Sequence, residues 1–208
     1  MIIYLHGFRS APASIKARAL KARMTERGLA ERFWCEQLPV SPRAAIALAE
    51  GEIARARAAG LDPTVVGSSL GGYYATWLAE RHDLRAVLVN PAVVAPLSLE
   101  AYVGMQDNLY TGERFEFTRG HIDELRALEV PTITRPRRFW LMVETGDEVL
   151  DYRHAVERYA GARQTVLEGG EHGFSRWNDY LDEVIAYAGL GDAPLARLGG
   201  AKPAAPRP

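Results

Sequence analysis

The sequence predicts an α/β protein in which a mainly parallel sheet is covered by helices on both faces. Short apolar runs alternate with segments of helical periodicity along most of the 208 residues, and parallel strands need such helical crossovers. The runs are apolar on both faces, as expected for strands that are buried on both sides. Hydrophobic residues make up 48% of the chain and charged residues 25%, which is the composition of an ordinary globular protein with one sizeable core.

Three strands and three helices are expected in the first part of the chain. The apolar runs that predict the strands are 1–5, 33–38 and 64–67. The helix over 14–27 has one apolar face and ends at Gly28, a residue that suits the left-handed conformation after a helix. The next helix extends to about residue 59 and begins at Ser41, which caps it, with Pro42 in the first turn. A third helix is expected over 71–81.

The remaining strands follow the same alternation. Their apolar runs are 84–90, 138–145 and 164–168. The helix between the last two runs is capped by Asp151 and ends at Gly161, and a final helix carries an apolar stripe between 177 and 188. Six mainly parallel strands are therefore expected.

Two segments interrupt this alternation. Residues 91–136 are too long for a simple crossover and carry weak helical patterns at 98–104 and 121–128, so a lid-like insertion is expected; an insertion without a role is the alternative. Of residues 191–208, twelve of eighteen are Pro, Gly or Ala, which predicts a disordered tail. The expected organisation is a single domain over 1–190.

The segment from Val65 to Gly72 contains the G-x-S-x-G pattern centred on Ser69. It lies between a predicted strand and a predicted helix, which is the setting of a nucleophile elbow. Gly67 and Gly71 allow the strand and the helix to approach each other, and the helix amino terminus directs N–H groups at a developing anion. The plainer interpretation is a glycine-rich turn with a capping serine.

A nucleophilic serine needs a base and an orienting carboxylate, which follow the serine in the order acid, then histidine, in hydrolases of this kind. His172 is the only histidine after the last predicted strand, and it lies in a glycine-rich turn. Asp147 directly follows the fifth strand and is the favoured acid, with Glu148 and Asp151 as rivals.

The turn after the first strand, from His6 to Phe8, is expected to supply a second oxyanion donor. The hole would consist of the backbone N–H groups of Phe8 and Leu70. His6 is expected to brace this loop rather than to transfer protons. A compact α/β-hydrolase fold with strand order 2-1-3-4-5-6 is expected. The insertion over 91–136 would lie across the carboxyl ends of the strands, where such sheets bind ligands.

Several classes of site are not expected. The formal net charge is -1, which gives no case for a nucleic-acid partner, and no apolar run is long enough for a membrane span. No metal-ligand spacing and no nucleotide-binding loop occur, so neither a metal nor another cofactor is expected. Cys35 is the only cysteine; it is expected to be a small buried hydrophobe in a central strand, and a cytoplasmic location is expected.

Six segments carry a resemblance that extends in register from about residue 1 to residue 190. They are YLHGF, GSSLGG, NPA after the fourth strand, LYTG in the insertion, TGDEVLDYR, and RQTVLEGGEHGF. Together they resemble the YqiA-type esterase family, a small branch of the α/β-hydrolase superfamily. The resemblance implies Ser69 as nucleophile, Asp147 as acid and His172 as base. It also implies hydrolysis of carboxylic esters, with acyl thioesters such as acyl-CoA as a further class, and no cofactor.

The substrate is expected to be a small ester or acyl thioester, but its identity stays open. Apolar residues of the insertion could line an acyl pocket or form the insertion's own core: Leu97, Leu99, Tyr102, Met105, Leu109, Tyr110, Phe115 and Phe117. Five arginines could contact a phosphate-bearing leaving group or simply be solvated: Arg114, Arg119, Arg135, Arg137 and Arg138. The alternatives to an esterase are a peptidase, an amidase, a C–C hydrolase and a non-catalytic binding module.

Overall fold

A computed structural model describes residues 1–191. The strands, numbered in chain order, are β1 (Ile2–Leu5), β2 (Phe33–Trp34), β3 (Thr64–Ser68), β4 (Arg85–Val89), β5 (Gly104–Asp107), β6 (Arg114–Phe117), β7 (Phe139–Glu144) and β8 (Arg163–Leu167). Six of them form one parallel sheet in the order β2-β1-β3-β4-β7-β8. This confirms the predicted strands, their direction and the order 2-1-3-4-5-6.

The helices cover both faces of this sheet. They are α1 (Ile15–Glu26), α2 (Pro42–Ala58), α3 (Leu70–His82), α4 (Ala95–Ser98), α5 (Arg119–Ala127), α6 (Tyr152–Arg158) and α7 (Leu181–Tyr187). The predicted caps form: Ser41 Oγ accepts from the Ala44 N–H at 3.2 Å, and Asp151 accepts from the Arg153 N–H at 3.0 Å. Gly28 has φ +70°, the left-handed conformation expected after α1.

The core consists of two apolar layers, one on each face of the sheet. Successive strand residues alternate between them, because side chains along a strand point to opposite faces. In β1, Ile3 packs with α2 and α3, whereas Ile2 packs with α1 and α7. The central strand residues, such as Trp140, have no solvent exposure. The sheet is thus buried between two packed layers. The loops that follow its strands at the carboxyl edge are therefore attached to a well-packed core.

The insertion is only partly helical, and the weak helical pattern expected at 98–104 is confirmed only in part. Residue 98 is the last residue of the four-residue helix α4, and residues 100–102 form a 3-10 turn. The chain then enters β5, which pairs with β6 as an antiparallel hairpin. The prediction for 121–128 is close to α5, which Thr118 caps by accepting from the His121 N–H. The amphipathic repeat of α5 covers more than two turns, whereas the 98–104 segment is too short for its periodicity to separate a helix from a strand.

The hairpin of the insertion is attached to the loop after β1. The Leu109 N–H donates to the Arg9 carbonyl at 2.8 Å, and Arg9 Nε donates to the Asp107 carbonyl at 2.9 Å. Phe8 packs against Phe117, with 4.9 Å between the ring centroids. The insertion therefore lies at the carboxyl edge of the sheet, as expected; its action as a lid stays a prediction.

Two other expectations concern the sheet edge and the chain end. Cys35 does not lie in a central strand: β2 is an edge strand of two residues, and Cys35 follows it, half-buried. Burial raises the pKa of its thiol to about 12. The predicted tail falls almost wholly on residues 192–208, outside the described residues. None of the helices within residues 1–191 combines the length and the apolar character of a membrane-spanning segment.

Candidate active site

Ser69 lies at a sharp turn between β3 and α3. Its backbone has φ 55° and ψ -122°, a strained conformation for a residue with a side chain. A Cβ atom on Gly67 would collide with the Gly71 carbonyl, and one on Gly71 would collide with the Leu5 carbonyl. Strand and helix can therefore meet only because both positions are glycine. This turn raises the Ser69 hydroxyl above the carboxyl edge of the sheet.

Ser69, His172 and Asp147 are brought together from three separate loops. Ser69 Oγ lies 3.1 Å from His172 Nε2, and His172 Nδ1 lies 2.8 Å from Asp147 Oδ2. The carboxylate can only accept, so Nδ1 carries the proton and donates to Asp147; Nε2 then accepts from the Ser69 hydroxyl. The Asp147 side chain is 2% exposed and also accepts from the N–H groups of Val149 and Leu150, each at 2.9 Å.

The two rival carboxylates contact other groups. Glu148 Oε2 accepts from the backbone N–H of His172 at 2.9 Å and so supports the turn rather than the ring. Asp151 caps α6 and pairs with Arg153 at 2.8 Å. Of the three candidate acids, Asp147 is the one hydrogen-bonded to the imidazole.

The two backbone N–H groups predicted to bind the oxyanion have no acceptor within the described part of the protein. Among residues 1–191, the N–H groups of Phe8 and Leu70 donate to no protein acceptor. Gly7 brings the first loop close to the serine, since a Cβ atom there would lie 3.2 Å from Ser69 Cβ. Both predicted oxyanion donors thus belong to segments that border Ser69.

His6 braces the loop that carries Phe8, as expected. Its Nε2 accepts from the Leu38 N–H at 3.0 Å, and its Nδ1 donates to the Gly7 carbonyl at 3.0 Å. The residue is 4% exposed, and this burial lowers the pKa of its ring. Because one ring nitrogen must accept, the neutral ring fits this position and the charged ring does not.

Asn90, which follows β4, holds the turn that carries His172. Its Nδ2 donates to the carbonyls of Glu171 and His172, both at 3.0 Å, and its Oδ1 accepts from the Glu144 N–H at 3.0 Å. Asn90 is 2% exposed and has φ 40°, a conformation that asparagine tolerates better than most residues. Sequence reasoning did not identify this role, although the asparagine directly follows an apolar strand.

Glu144, at the end of β7, holds the same turn from below. Its carboxylate is fully buried and accepts from the N–H groups of Glu171 and Ser175, each at 2.9 Å, and from Arg176 Nε at 2.9 Å. Burial alone would raise its pKa, but the hydrogen bonds from Arg176, Glu171 and Ser175 lower it to about 2. A Cβ atom on Gly170 would overlap this carboxylate, so the turn fits closely around it.

Lys16 attaches the amino terminus of α1 to the histidine turn. Its Nζ donates to the Gly173 carbonyl at 2.7 Å, and Trp177 Nε1 donates back to the Lys16 carbonyl at 3.0 Å. Burial lowers the pKa of Lys16 to about 8, against the opposing effect of Asp147 and neighbouring carboxylates. The turn is therefore held by β4, β7 and α1 together.

Two clefts flank the loop from Gly7 to Phe8. A cleft of about 440 Å³ is lined by Ser69, His172, Lys16 and residues of the hairpin tip, including Tyr110. A second cavity of about 300 Å³ lies on the side of Leu70 and contains none of Ser69, Asp147 or His172 in its lining. We call these the histidine cleft and the Leu70 cavity.

The apolar residues of the insertion divide between the two expected roles. Phe117 and Leu99 are buried in the core. Phe115 lines the Leu70 cavity, while Leu109 and Tyr110 line the histidine cleft. The remaining members are Leu97, Tyr102 and Met105, which are 73%, 37% and 56% exposed.

The five arginines do not form a phosphate site. Arg135 and Arg138 pair with Asp83, and Arg137 belongs to the 3-10 turn that directly precedes β7, so all three lie at the amino edge of the sheet, opposite Ser69. Arg114 lies 3.4 Å from Asp107 and Arg119 lies 3.5 Å from Glu100, so each of these exposed guanidinium groups has a carboxylate beside it. The prediction grouped these arginines because they are close along the chain, whereas in the structure they lie in separate ion pairs on different elements.

The residues described contain no cluster suited to a metal ion. Within 1–191, no group of three or more His, Cys, Asp or Glu side chains is arranged to hold one. The groups around Ser69 are instead a hydroxyl, an imidazole, a carboxylate and two N–H donors, which is a set for nucleophilic chemistry.

A comparison with protein families identifies the chain's relatives. The model of the uncharacterised protein family UPF0227 matches residues 1–189. The chain belongs to this family. UPF0227 is the YqiA-like family, so the resemblance in sequence is confirmed over almost the whole described region.

Comparison with solved structures establishes the α/β-hydrolase fold. A monoacylglycerol lipase from Paleococcus ferrophilus superposes with a TM-score of 0.67 at 14% identity, over 92% of this chain and 94% of the lipase. Alpha/beta hydrolase domain-containing protein 10 from mouse gives 0.60 at 17% identity, over 89% of each chain. The esterase domain of a Rhodothermus marinus protein gives 0.56 at 17% identity, over 91% of this chain and 84% of that one.

Proposed function

We propose that this protein is a serine esterase that hydrolyses small carboxylic esters through an acyl-enzyme on Ser69. The observation that carries the proposal is the continuous hydrogen-bonded chain from Ser69 Oγ through His172 to Asp147, with distances of 3.1 and 2.8 Å. A nucleophile, a base and an orienting acid within hydrogen-bond reach are the recognisable geometry of acyl transfer.

In the acylation step, Ser69 Oγ attacks the ester carbonyl carbon while His172 Nε2 accepts the hydroxyl proton. The buried Asp147 carboxylate stabilises the resulting imidazolium and keeps the ring in orientation. The carbonyl oxygen becomes an oxyanion, for which the N–H groups of Phe8 and Leu70 are the nearby donors. When the tetrahedral intermediate collapses, the bond to the leaving oxygen breaks and His172 delivers its proton to that oxygen.

Deacylation repeats the cycle with water. His172 Nε2 accepts a proton from water, whose oxygen attacks the acyl carbon of the ester on Ser69. The second tetrahedral intermediate collapses to the carboxylic acid, and Ser69 Oγ leaves with the proton from His172. Atoms and charges balance without any cofactor.

Esters are favoured over the other reaction classes by the similar structures, which include a lipase and an esterase domain. The histidine cleft opens beside His172 and has room for a leaving alcohol or a leaving amine alike. Acyl thioesters belong to the proposal as a second substrate class; the positions of the five arginines do not support recognition of a CoA phosphate. A peptidase, an amidase or a C–C hydrolase would use the same groups, and a panel of amides separates those reactions from ester hydrolysis.

Covalent labelling tests the nucleophile directly. A fluorophosphonate should phosphonylate Ser69 with loss of fluoride, and peptide mass spectrometry should find the adduct on Ser69 rather than on its neighbour Ser68. Ser69→Ala should abolish labelling, whereas the matched Ser68→Ala variant should keep it. A wild-type protein that resists labelling at pH 7.5 would favour the non-catalytic binding module instead.

A further inference from the structure

The histidine cleft is the place where an ester can meet both Ser69 and His172, because both residues line it. In the proposed reaction His172 delivers its proton to the leaving oxygen, so the leaving group lies beside this ring. Lys16 lines the same cleft, and its Nζ donates at 2.7 Å to the carbonyl of Gly173, the residue after His172. Lys16 is thus close to the position of the leaving group, a placement that rests on the proposed esterase function.

Lys16 is distinguished from the other groups of the cleft by its charge. Of the described residues that line the cleft, it is the only lysine or arginine. Its ammonium group has three N–H donors and uses one of them for Gly173. Lys16 forms no salt bridge within residues 1–191, although the side chain is only half-exposed. A cation that is partly withdrawn from water is stabilised by a counter-ion, so this group favours an anionic ligand.

The amino terminus of α1 adds to the same electrostatic preference. Because α1 follows β1, it begins at the carboxyl edge of the sheet, and residues 14–16 all line the cleft. The N–H groups of residues 15–17 have no acceptor within the described chain, and the first turn carries no acidic residue. Such a terminus has a partial positive charge that favours an anion. The protein itself does not compensate this charge.

Ser14 is a separate sign that a ligand group is missing at this end of the cleft. It occupies the N-cap position of α1, yet its side chain makes no capping hydrogen bond. The residue is 7% exposed, and its Oγ has no hydrogen-bond partner within residues 1–191. Buried hydroxyl groups without a partner are uncommon because they cost free energy. An oxygen atom bound beside the start of α1 would give this hydroxyl an acceptor.

Three carboxylates oppose an anion at this position, since they act on Lys16 from the neighbouring loops: Asp147, Glu171 and Glu144. Two of them already have cationic or hydrogen-bonding partners, namely His172 for Asp147 and Arg176 for Glu144. Glu171 is exposed at the cleft. Burial of Lys16 outweighs their effect and lowers its pKa to about 8. The group is therefore a cation at pH 7 and becomes neutral as the pH rises through 8.

We propose that Lys16 is a specificity-determining residue whose ammonium group binds a carboxylate carried by the leaving group of the ester. The amino terminus of α1 contributes to the same site. The preferred substrates are esters in which the alcohol is a small hydroxy acid. Uncharged donors of the cleft, such as Tyr110 and Asn178, can bind any oxygen atom. Only a positive charge distinguishes a carboxylate from an amide of the same shape.

Aryl acetates that differ only in charge test this inference. We compare 3-acetoxybenzoate and 4-acetoxybenzoate with the corresponding acetoxybenzamides and measure the released phenols by liquid chromatography. The measured quantity is the ratio of kcat/KM for acid and amide at pH 7, in the wild type and in Lys16→Met, which keeps an apolar stem without the charge. For at least one pair, this ratio should be about five- to twentyfold higher in the wild type. Loss of the bond to Gly173 affects both esters of a pair and cancels in the ratio.

Lys21→Met is the matched control, because Lys21 is exposed on the same helix and lies outside the lining of the cleft. Its ratio should equal that of the wild type. A ratio in Lys16→Met that equals the wild-type ratio for both pairs would overturn the inference. An equal fall in both variants would also overturn it, since the effect would then come from net charge rather than from the cleft.

The pH dependence of the wild type provides a readout that needs no variant. Because kcat/KM reports the ionisation of the free enzyme, the acid-to-amide ratio should fall severalfold between pH 7 and pH 9 as Lys16 loses its proton. Effects of pH on the catalytic groups act on both esters and cancel. In Lys16→Met the ratio should stay constant. A constant ratio in the wild type would contradict a binding ammonium group.

Failure of the esterase proposal is seen in a different variant. If Ser69→Ala hydrolyses these esters as fast as the wild type, the proposed function fails and this inference fails with it. If Ser69→Ala is inactive but the ratio does not respond to Lys16→Met, the esterase proposal stands and the inference alone is refuted.

Discussion

Asn90 donates a hydrogen bond of 3.0 Å to the backbone carbonyl of His172, so a residue after β4 holds the histidine that follows β8. The same amide group donates to the Glu171 carbonyl, and its oxygen accepts from Glu144. One buried side chain thereby fixes two consecutive peptide groups of the turn. The position of the imidazole relative to Ser69 depends on this contact as well as on Asp147.

Asn90→Asp should lower kcat by about 10- to 100-fold while KM changes little, because small displacements of a catalytic group are costly. The aspartate keeps the oxygen that accepts from Glu144 but places a second oxygen against two carbonyls. Steady-state kinetics with a p-nitrophenyl ester measures the effect, and thermal unfolding measures the accompanying loss of stability. A kcat equal to that of the wild type would show that the turn is held without Asn90.

Glu144 should make the protein sensitive to acid. Hydrogen bonds lower its folded pKa to about 2 from an unfolded value of 4.5, so its contribution is fully present above pH 4.5 and is lost as the pH falls toward 2. The contribution is on the order of 3 kcal/mol. Denaturant unfolding at pH 7 and pH 3 should show this loss in the wild type.

Glu144→Gln should be less stable than the wild type at pH 7. Both carboxylate oxygens of Glu144 accept hydrogen bonds, so the amide nitrogen of glutamine would meet a hydrogen-bond donor at either position. Its stability should also fall less between pH 7 and pH 3. Parallel pH curves for the two proteins would argue against an ionised Glu144 in the folded state.

Protonation of His6 should destabilise the fold in mild acid. Here the buried group is stable in its neutral form, whereas Glu144 is stable in its charged form. Burial lowers the pKa of His6 below the ordinary value of 6.5, so the folded protein favours the neutral ring. The stability that this ring contributes is complete above pH 6.5 and is lost as the pH falls through the lowered pKa. In His6→Gln, the decrease in unfolding free energy between pH 7.5 and pH 5 should be smaller than in the wild type.

His154 is exposed on α6 and serves as the matched control. His154→Gln controls for the exchange of histidine for glutamine at an exposed position. A His6→Gln curve that coincides with the wild-type curve would contradict the neutral, hydrogen-bonded ring.

Two Gly→Ala substitutions should have opposite effects on stability. In Gly71→Ala the new methyl group would collide with the Leu5 carbonyl, so strand and helix must separate and the protein should lose several kcal/mol or fail to fold. Gly51 lies in the interior of α2 with nothing within 4 Å of an added Cβ, so Gly51→Ala should stabilise by about 0.5–1 kcal/mol. Chemical denaturation of both variants checks the pair; equal effects would mean that the elbow tolerates a side chain.

The fold was predictable because its signals are local and repeated. Apolar runs, crossover helices and caps such as Ser41 specify the sheet, and G-x-S-x-G between strand and helix identifies Ser69. His172 and Asp147 followed from their order along the chain. The hairpin of β5 and β6 was missed because its strands are short and half-exposed and therefore lack a clear apolar run.

The supporting residues could not be predicted because their roles depend on long-range contacts. Asn90 and Glu144 look like ordinary strand ends, and only the packing of β4 and β7 beneath the 170–176 turn gives them donors and acceptors. Lys16 is one of two lysines of α1, and only the fold places it in the cleft that Ser69 and His172 line. The expected arginine site did not form for the same reason. Arginines that follow one another within a short stretch of sequence lie at opposite edges of the sheet in the folded protein.

The most direct test of the proposed esterase is hydrolysis of p-nitrophenyl acetate, butyrate and octanoate by the wild type and by Ser69→Ala, side by side. The wild type should turn over at least one ester, and the alanine variant should fall to background, since loss of a triad serine lowers kcat by about a millionfold in proteases. Equal activity in the two proteins would contradict the assignment of Ser69 as the nucleophile.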